Sequence, residues 1–458
     1  MPDGPHARPT LGPTRRALAI GGAAAALGYA IFPPSPRWRR DVPTGRVALR
    51  YWEKWASHEG DAIQSVVDRF NASQDRIFVV RVPVPETFTK AMVAIGGGDP
   101  PDLVGLFSYN VPYFAESGAL IPLDELPEPR RPVREEAYPR AIWELLTHGG
   151  RPWVGVNTCY TLALYANRAH LREAGLDDGN LPRTLDELDA AAVRLDVRDT
   201  GGRIARAGFL QAVPSWWPYL WPIATGGRLF DDAAHRVTCD EERSVAAFRW
   251  VSATAERLGR ADSLGFAKSF ERSYLSRTDP FLSGRVSMIV QGPWMANFAR
   301  RFAPGLDFAA APMPVAADVL DPQSPRGLLE ADVIGIPRGC PHPEEALEFL
   351  AFTQRPDVQA DLCSQHCKPS PMNEVPEGFR ENHPNPFVAV HEAIVRSPNA
   401  TVLPRHRAWK AYSDTIVPAF DRIWGGADPK SELEAVARRA QAEVDRADAA
   451  RRAREERA

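Results

Sequence analysis

Five cysteines in 458 residues are too few to staple a chain of this length, and the odd number leaves at least one outside any intramolecular pair. Positive charge is not in excess. The 55 basic and 58 acidic residues leave a formal net charge of -3, so composition supplies no field for nucleic acid or anionic lipid. Catalytic signatures are missing as well: there is no G-x-S-x-G around a serine, no H-E-x-x-H and no P-loop. Gly96-Gly97-Gly98 lacks a following Lys-Ser or Lys-Thr and closes a helical pattern instead of opening one, which removes a phosphate cradle. Gly201-Gly202 and Gly226-Gly227 read as turns for the same reason. No internal repeat and no sustained heptad is present, and nothing in the sequence calls for a cofactor.

What is present is ordinary globular material, 44% apolar and 25% charged, in a chain longer than one hydrophobic core usually supports, so two domains are expected. The N-terminal 1–40 segment stands apart. Arg15-Arg16 precede an uncharged run from Ala17 to Phe32, the layout of a charged n-region and an apolar h-region, and the pair resembles a twin-arginine export signal. Sixteen helical residues rise about 24 Å against a hydrocarbon core of roughly 30 Å, so the segment reads as an export signal or an N-terminal anchor that needs help from its flanks. No small-x-small cleavage site follows, and no cysteine sits where a lipid anchor would attach. Cys363 and Cys367 are spaced for either a disulfide or a buried reduced pair. His366 between them makes only a weak zinc signal.

Along the rest of the chain, Val47–Trp52, Ile77–Val82 and Asp102–Phe107 read as strands, with helical periodicity over Asp61–Asn71 and Thr89–Ile95 between them. This βαβ order predicts an α/β fold with a mostly parallel sheet, whose ligands bind beyond the carboxyl ends of the strands. Helices are expected at Leu185–Val193, Val245–Leu258, Pro343–Phe352, Ala408–Ile423 and Ser431–Ala449, the last docking Leu433, Val436, Ala440 and Val444 while its charged tail frays. An apolar strand running from Gly284 ends in Gly292, Pro293 and Trp294 and turns into a helix near Trp294, and Asp332–Ile336 is a further strand. Trp216-Trp217-Pro218-Tyr219-Leu220-Trp221 breaks every regular period. Its alternating members Trp217, Tyr219 and Trp221 fit one face of an extended piece, either for recognition or as core filling.

Taken in order, these landmarks resemble the extracellular solute-binding proteins of the maltose-binding and related sugar-binding class of ATP-binding-cassette importers. The likeness covers about Val47 to Ala440. It rests on Gly98-Asp99-Pro100-Pro101-Asp102-Leu103-Val104, on Leu164-Tyr165-Ala166-Asn167-Arg168 leading to Ala174-Gly175-Leu176, on Pro182-Arg183-Thr184-Leu185-Asp186-Glu187-Leu188, and on the stretch from Phe281 to Trp294. Ala166 and Ser287 depart from the family's usual residues. The resemblance implies a periplasmic-binding-protein fold, two lobes with mostly parallel central sheets joined by a multi-strand hinge. Lobe one would take residues 45–159 and 289–339, and lobe two 160–288 and 340–449, with crossings near Thr158–Thr161 and Met288–Gln291 and a third after Gly339. It also implies delivery of a sugar or polyol to the transmembrane permease subunits, export by the twin-arginine-like machinery, and a place in the periplasm or on the outer face of the cytoplasmic membrane.

A sugar offers flat C–H patches and a ring of hydroxyls, so its site needs aromatic faces and fixed polar groups. The aromatic candidates are Trp55 and Tyr109 from lobe one, Trp216, Trp217, Tyr219 and Trp221 from lobe two, and Trp294 beside the returning hinge. The polar ones are Glu53, His58, Asn110, Gln291 and Asp332, each of which also fits a solvated loop or a helix cap. No catalytic residue and no metal ligand is assigned. Rival readings are the same fold holding a glycerol-phosphate-like, polyamine or peptide ligand, with Arg285 and Arg338 available to an anion, or a carbohydrate-active enzyme using Glu53, Asp124 or Glu330. A binding lobe retained at the membrane as a sensor is the remaining one.

Overall fold

The computed structural model describes Trp38 and residues 42–127, 133–271, 273–274 and 276–456. The N-terminal export or anchor segment lies outside the described residues. Among them, no helix is long and apolar enough to cross a membrane.

The first sheet is built on β1 (Val47–Glu53), β2 (Ile77–Pro83) and β3 (Leu103–Phe107), with β1 parallel to both neighbours. Helix α1 (Ser57–Ser73) lays Ile63, Val66, Val67 and Phe70 on this sheet, as its periodicity predicts. Two later-joined strands complete it: β4 (Val154–Thr161) and a nine-residue central strand farther along the chain (Gly327–Gly335) run antiparallel to each other, and the latter is also antiparallel to β3. The sheet is therefore mixed, not mostly parallel. Only the βαβ part was readable as local alternation; the antiparallel partners arrive from more than 40 residues away.

The second sheet is antiparallel throughout, with β5 (Ala163–Asn167) between β6 (Met288–Gln291) and β7 (Phe308–Pro312). Around it pack α3 (Leu185–Leu195) and α4 (Glu242–Leu258), whose buried faces share one core with β5 and β6. Helix α2 (Thr87–Gly96), which follows β2 in the first sheet, is stopped by the glycine triplet as expected. Helix α3 begins on a capping box: Thr184 Oγ1 accepts from Glu187 N at 3.2 Å and Glu187 Oε2 accepts from Thr184 N at 3.1 Å.

Farther along the chain come α5 (Met295–Phe302), β8 (the Gly327–Gly335 strand), α6 (Pro343–Thr353), α7 (Pro356–His366), α8 (Val388–Val395), β9 (Ala400–Thr401), α9 (Trp409–Trp424) and α10 (Pro429–Glu455). Three of the helices start on Pro at the first position, where its missing N–H is harmless. Helix α10 does bury Leu433, Val436, Ala440 and Val444. Its charged end does not fray: the helix runs to Glu455, and Arg454 Nη1 donates to the Glu116 carbonyl at 2.7 Å.

Two large hydrophobic cores result, beside a small cluster of Trp52, Val84 and Ala94, and the chain changes between the large cores at three places. Cys159 belongs to the first and Tyr160 to the second; Leu328 belongs to the second and Leu329 to the first; Val395 belongs to the first and Leu403 to the second. Pairing of β6 with β5 from Met288↔Ala166 to Gln291↔Ala163 keeps residues 289–313, expected in lobe one, with the second sheet. Helices α6 and α7, expected in lobe two, bury Leu347, Leu350 and Leu362 in the first core. All five cysteines are free and buried, Cys363 and Cys367 included.

Candidate binding cleft

The cleft starts at the carboxyl end of β1. Tyr51 donates its hydroxyl hydrogen to Glu53 Oε2 and accepts from Asn157 Nδ2 at 2.8 Å. Glu53 Oε1 accepts from the backbone N–H groups of Lys54 (2.8 Å) and Trp55 (3.2 Å). A side chain at Gly105 would run into the Glu53 carboxylate, so that glycine makes room for it. Glu53 is thus an interior clamp on the turn that presents Trp55.

The floor is β8, whose alternate residues Leu328, Glu330 and Asp332 share a face. Asp332 Oδ2 accepts from Thr158 Oγ1 at 2.7 Å and Lys368 Nζ at 2.8 Å, and Lys54 Nζ lies 3.1 Å from Oδ1. Burial pushes the Asp332 carboxyl up, but the two ammonium groups hold it well below the usual carboxylate range. Burial likewise disfavours the charged Lys368, and Asp332 followed by Glu59 more than offsets that, leaving it above the ordinary lysine value. Among the described residues no cation forms an ion pair with Glu330, although the Arg405 charge favours its ionised form. Glu330 accepts from the Ser108 hydroxyl and from Leu403 N (3.1 Å), and burial pushes it up to about 7.

Above this floor is a cavity of about 310 Å³ lined by Trp55, Glu59, Phe107 and Tyr109 from first-sheet elements, Tyr160 from the crossing, Trp216, Trp217, Tyr219, Trp294 and Phe298 from the second body, and Lys368. Phe107 and Tyr109 stack at 5.2 Å, Trp217 lies 6.0 Å from Trp294, and Tyr160 meets Trp294 edge-on at 5.2 Å. Lys368 Nζ sits 5.6 to 5.9 Å from the rings of Trp55, Tyr160 and Trp294. The Trp55 Nε1 donor is buried without a protein acceptor. A flat ring with hydroxyls on its rim is what such a chamber can hold: aromatic faces on two sides, a carboxylate, an ammonium and an idle indole N–H. A second cavity, about 480 Å³ and more polar, shares the Tyr219 wall and runs along Arg228, Asp232, Arg326 and Leu328.

The model of the bacterial extracellular solute-binding protein family matches residues 55–360. The chain belongs to that family. This solute-binding protein is 23% identical over 412 residues to a maltotriose-binding protein of Pyrococcus abyssi, covering 88% of this chain and 82% of that one. In fold it is similar to CpMnBP1 with mannotriose bound, with a TM-score of 0.76, 24% identity, and 87% and 100% of the two chains covered. It is also similar to the GacH receptor of Streptomyces glaucescens, solved unliganded and with acarbose, with a TM-score of 0.70, 20% identity, and 87% and 99% covered. The fold is thereby of the periplasmic-binding-protein type.

Of the residues singled out from sequence, the solute-binding protein brings Trp55, Tyr109, Trp216, Trp217, Tyr219 and Trp294 to the cavity wall. Trp221 is not among them. It opens a short 3₁₀ turn that rotates the ring into the second core, against Phe209 (6.0 Å) and Trp250 (5.5 Å), and so breaks the alternation expected of Trp217, Tyr219 and Trp221. Glu53 and the floor residue Asp332 are buried, and neither lines the cavity. Asn110 Oδ1 accepts from Phe107 N at 3.3 Å and is a local cap. Gln291 Oε1 accepts from Trp294 Nε1 at 3.0 Å and from Gly292 N at 2.9 Å, so it aims the indole. His58 packs edge-on against Phe298 at 5.9 Å, at a seam where Asn297 Nδ2 also donates to the Gln365 carbonyl at 3.1 Å. Sequence reasoning missed Glu59, Phe107, Tyr160, Phe298 and Lys368. Phe107 and Tyr160 end strands, the position that pointed to Trp55; Lys368 follows a left-handed Cys367 (φ 58°) at the end of α7 and carries no local signature.

Proposed function

We propose that this solute-binding protein captures a sugar, in particular a short oligosaccharide, between its two bodies and hands it to the transmembrane subunits of an ATP-binding-cassette importer. The observation that carries the reading is the chamber itself, with ring faces contributed by both bodies beside the charged groups of Glu59 and Lys368. Aromatic faces cover the C–H patches of a pyranose, while Glu59, Lys368 and Trp55 Nε1 replace water at its hydroxyls. Contacts made by both walls exist only when the cleft is shut, so ligand shifts the open–closed balance by its differential affinity, and the permease reads the shut form. The maltotriose-binding relative and the mannotriose-bound neighbour support a short oligosaccharide.

The protein works outside the cytoplasm, in the periplasm or on the outer membrane face, after export directed by Arg15-Arg16 and the run that follows. It binds without turnover. Glu53 and Glu330, the carboxylates an enzyme would need, are buried and already engaged by donors, and Asp124 is paired with Arg151 at 2.6 Å. Titration calorimetry against maltotriose, mannotriose, glycerophosphocholine and spermidine tests the reading. A trisaccharide is expected to bind at micromolar strength or better, about -8 kcal/mol. Binding of only glycerophosphocholine or spermidine would overturn the sugar assignment, and appearance of cleaved saccharide would overturn the absence of turnover.

A further inference from the structure

Away from the cleft, three side chains far apart in sequence converge. His235 stands in the turn joining the paired segments Phe230–Asp231 and Arg236–Val237, His406 precedes α9, and Asp448 is on α10. One ligand atom from each lies within 4.8 Å of the others. His235 Nδ1 is 2.8 Å from Asp448 Oδ2 and His406 Nε2 is 3.3 Å from Oδ1. The turn is held for this: His235 takes a left-handed φ of 50°, and Gln441 of α10 grips it by accepting from Val237 N (2.9 Å) and donating to the His235 carbonyl (3.1 Å). Phe230 lies 5.4 Å from the His406 ring and closes one side, His406 and Asp448 are largely buried, and His235 is 39% exposed, leaving an approach from solvent.

We propose that His235, His406 and Asp448 form a zinc site that ties α10 to the second body. Two imidazole nitrogens and one carboxylate oxygen are a ligand set for a borderline divalent ion, at distances of about 2.0–2.2 Å, with a fourth position left to water. Without metal, the Ala408 N–H donates to His406 Nδ1 at 3.1 Å, which places the ring proton on Nε2, facing Asp448. Metal binding at Nε2 moves that proton to Nδ1 and releases the Ala408 bond, with no net proton lost from the ring. Arg451, whose Nη2 is 3.7 Å from Asp448 Oδ1, turns away from the carboxylate when the ion arrives. Bound ion would cross-link three segments that otherwise meet only through hydrogen bonds and packing, and stabilise the folded chain by mass action.

The test is calorimetry with Zn²⁺ on the full chain without a histidine tag, stripped of metal by chelator, beside a thermal melt with and without the ion. One equivalent is expected to bind and to raise the melting temperature; Ca²⁺, which takes oxygen ligands, should do neither. His235→Ala and Asp448→Asn should each weaken zinc at least about tenfold, and because His235 is half-exposed its variant is expected to melt like the parent when zinc is absent. No saturable binding at about 100 µM zinc, or zinc binding unchanged in both variants, overturns the assignment.

Discussion

Replacing Lys368 with methionine isolates the charge pair under the cleft. Lys368 and Asp332 are both 1% exposed, with Nζ 2.8 Å from Oδ2. At an effective dielectric of 20 the attraction at that distance is about 6 kcal/mol, most of which offsets the cost of removing two ions from water. Methionine keeps the volume but leaves Asp332 with Lys54 and Thr158 alone, so the expected loss is about 3 to 5 kcal/mol of folding stability. Urea unfolding followed by tryptophan fluorescence reads it, since Trp55 and Trp294 flank the ammonium. The loss depends on pH with a definite sign. The Asp332 carboxyl is depressed in the folded chain, so its stabilisation is present above the unfolded value of about 3.9 and disappears as pH falls through the folded one. The gap between wild type and variant is therefore full at pH 7 and narrows in acid. A loss below about 1 kcal/mol at pH 7, the worth of an exposed pair such as Lys410–Asp414, refutes the reasoning, as does a gap that stays constant into acid.

Trp217→Ala is expected to weaken oligosaccharide binding by about 1 to 3 kcal/mol in calorimetry, whereas Trp221→Ala should cost about 3 to 5 kcal/mol of stability and leave the affinity of the surviving folded protein near wild type. Gly292→Ala should lower sugar affinity without unfolding the chain, because the Trp294 indole folds back over Gly292 and a methyl there displaces it; the tryptophan emission maximum on ligand addition checks this. Glu330, raised to about 7, keeps its proton in the folded chain after the unfolded chain has ionised near about 4.3, so it subtracts stability as pH climbs between those values. Glu330→Gln should remove that decline, gaining on wild type from pH 4.5 to 8 in urea titrations.

How much of this was legible depended on the range of the interaction. The strands at Val47 and Ile77 and helix α1 announce themselves by period and pack against one another locally, so their bounds were readable to within a few residues. The pairing of β6 with β5 was not. Both strands are short, mostly apolar and buried throughout, and nothing in such a run states which sheet it will join. In the cleft, large aromatics near strand ends and in a Pro-broken loop were findable because packing alone explains them poorly there. Trp221 misled for a physical reason: a turn of 3₁₀ helix begins at that residue and replaces the two-residue alternation. Lys368 was invisible because its importance is wholly tertiary. Its partners Asp332 and Thr158 lie 36 and 210 residues away, and a lone lysine after Cys367 resembles any solvated one.

The nine-residue strand β8 passes from one core to the other between Leu328 and Leu329 without a break. In the closure proposed above it would serve as a shared axle, because the halves cannot slide past each other without tearing a ladder that pairs seven consecutive residues, Leu329 to Gly335, with β4. Closure would then be a rotation, with Tyr160, opposite Glu330 in that ladder, on the pivot between the two banks of rings.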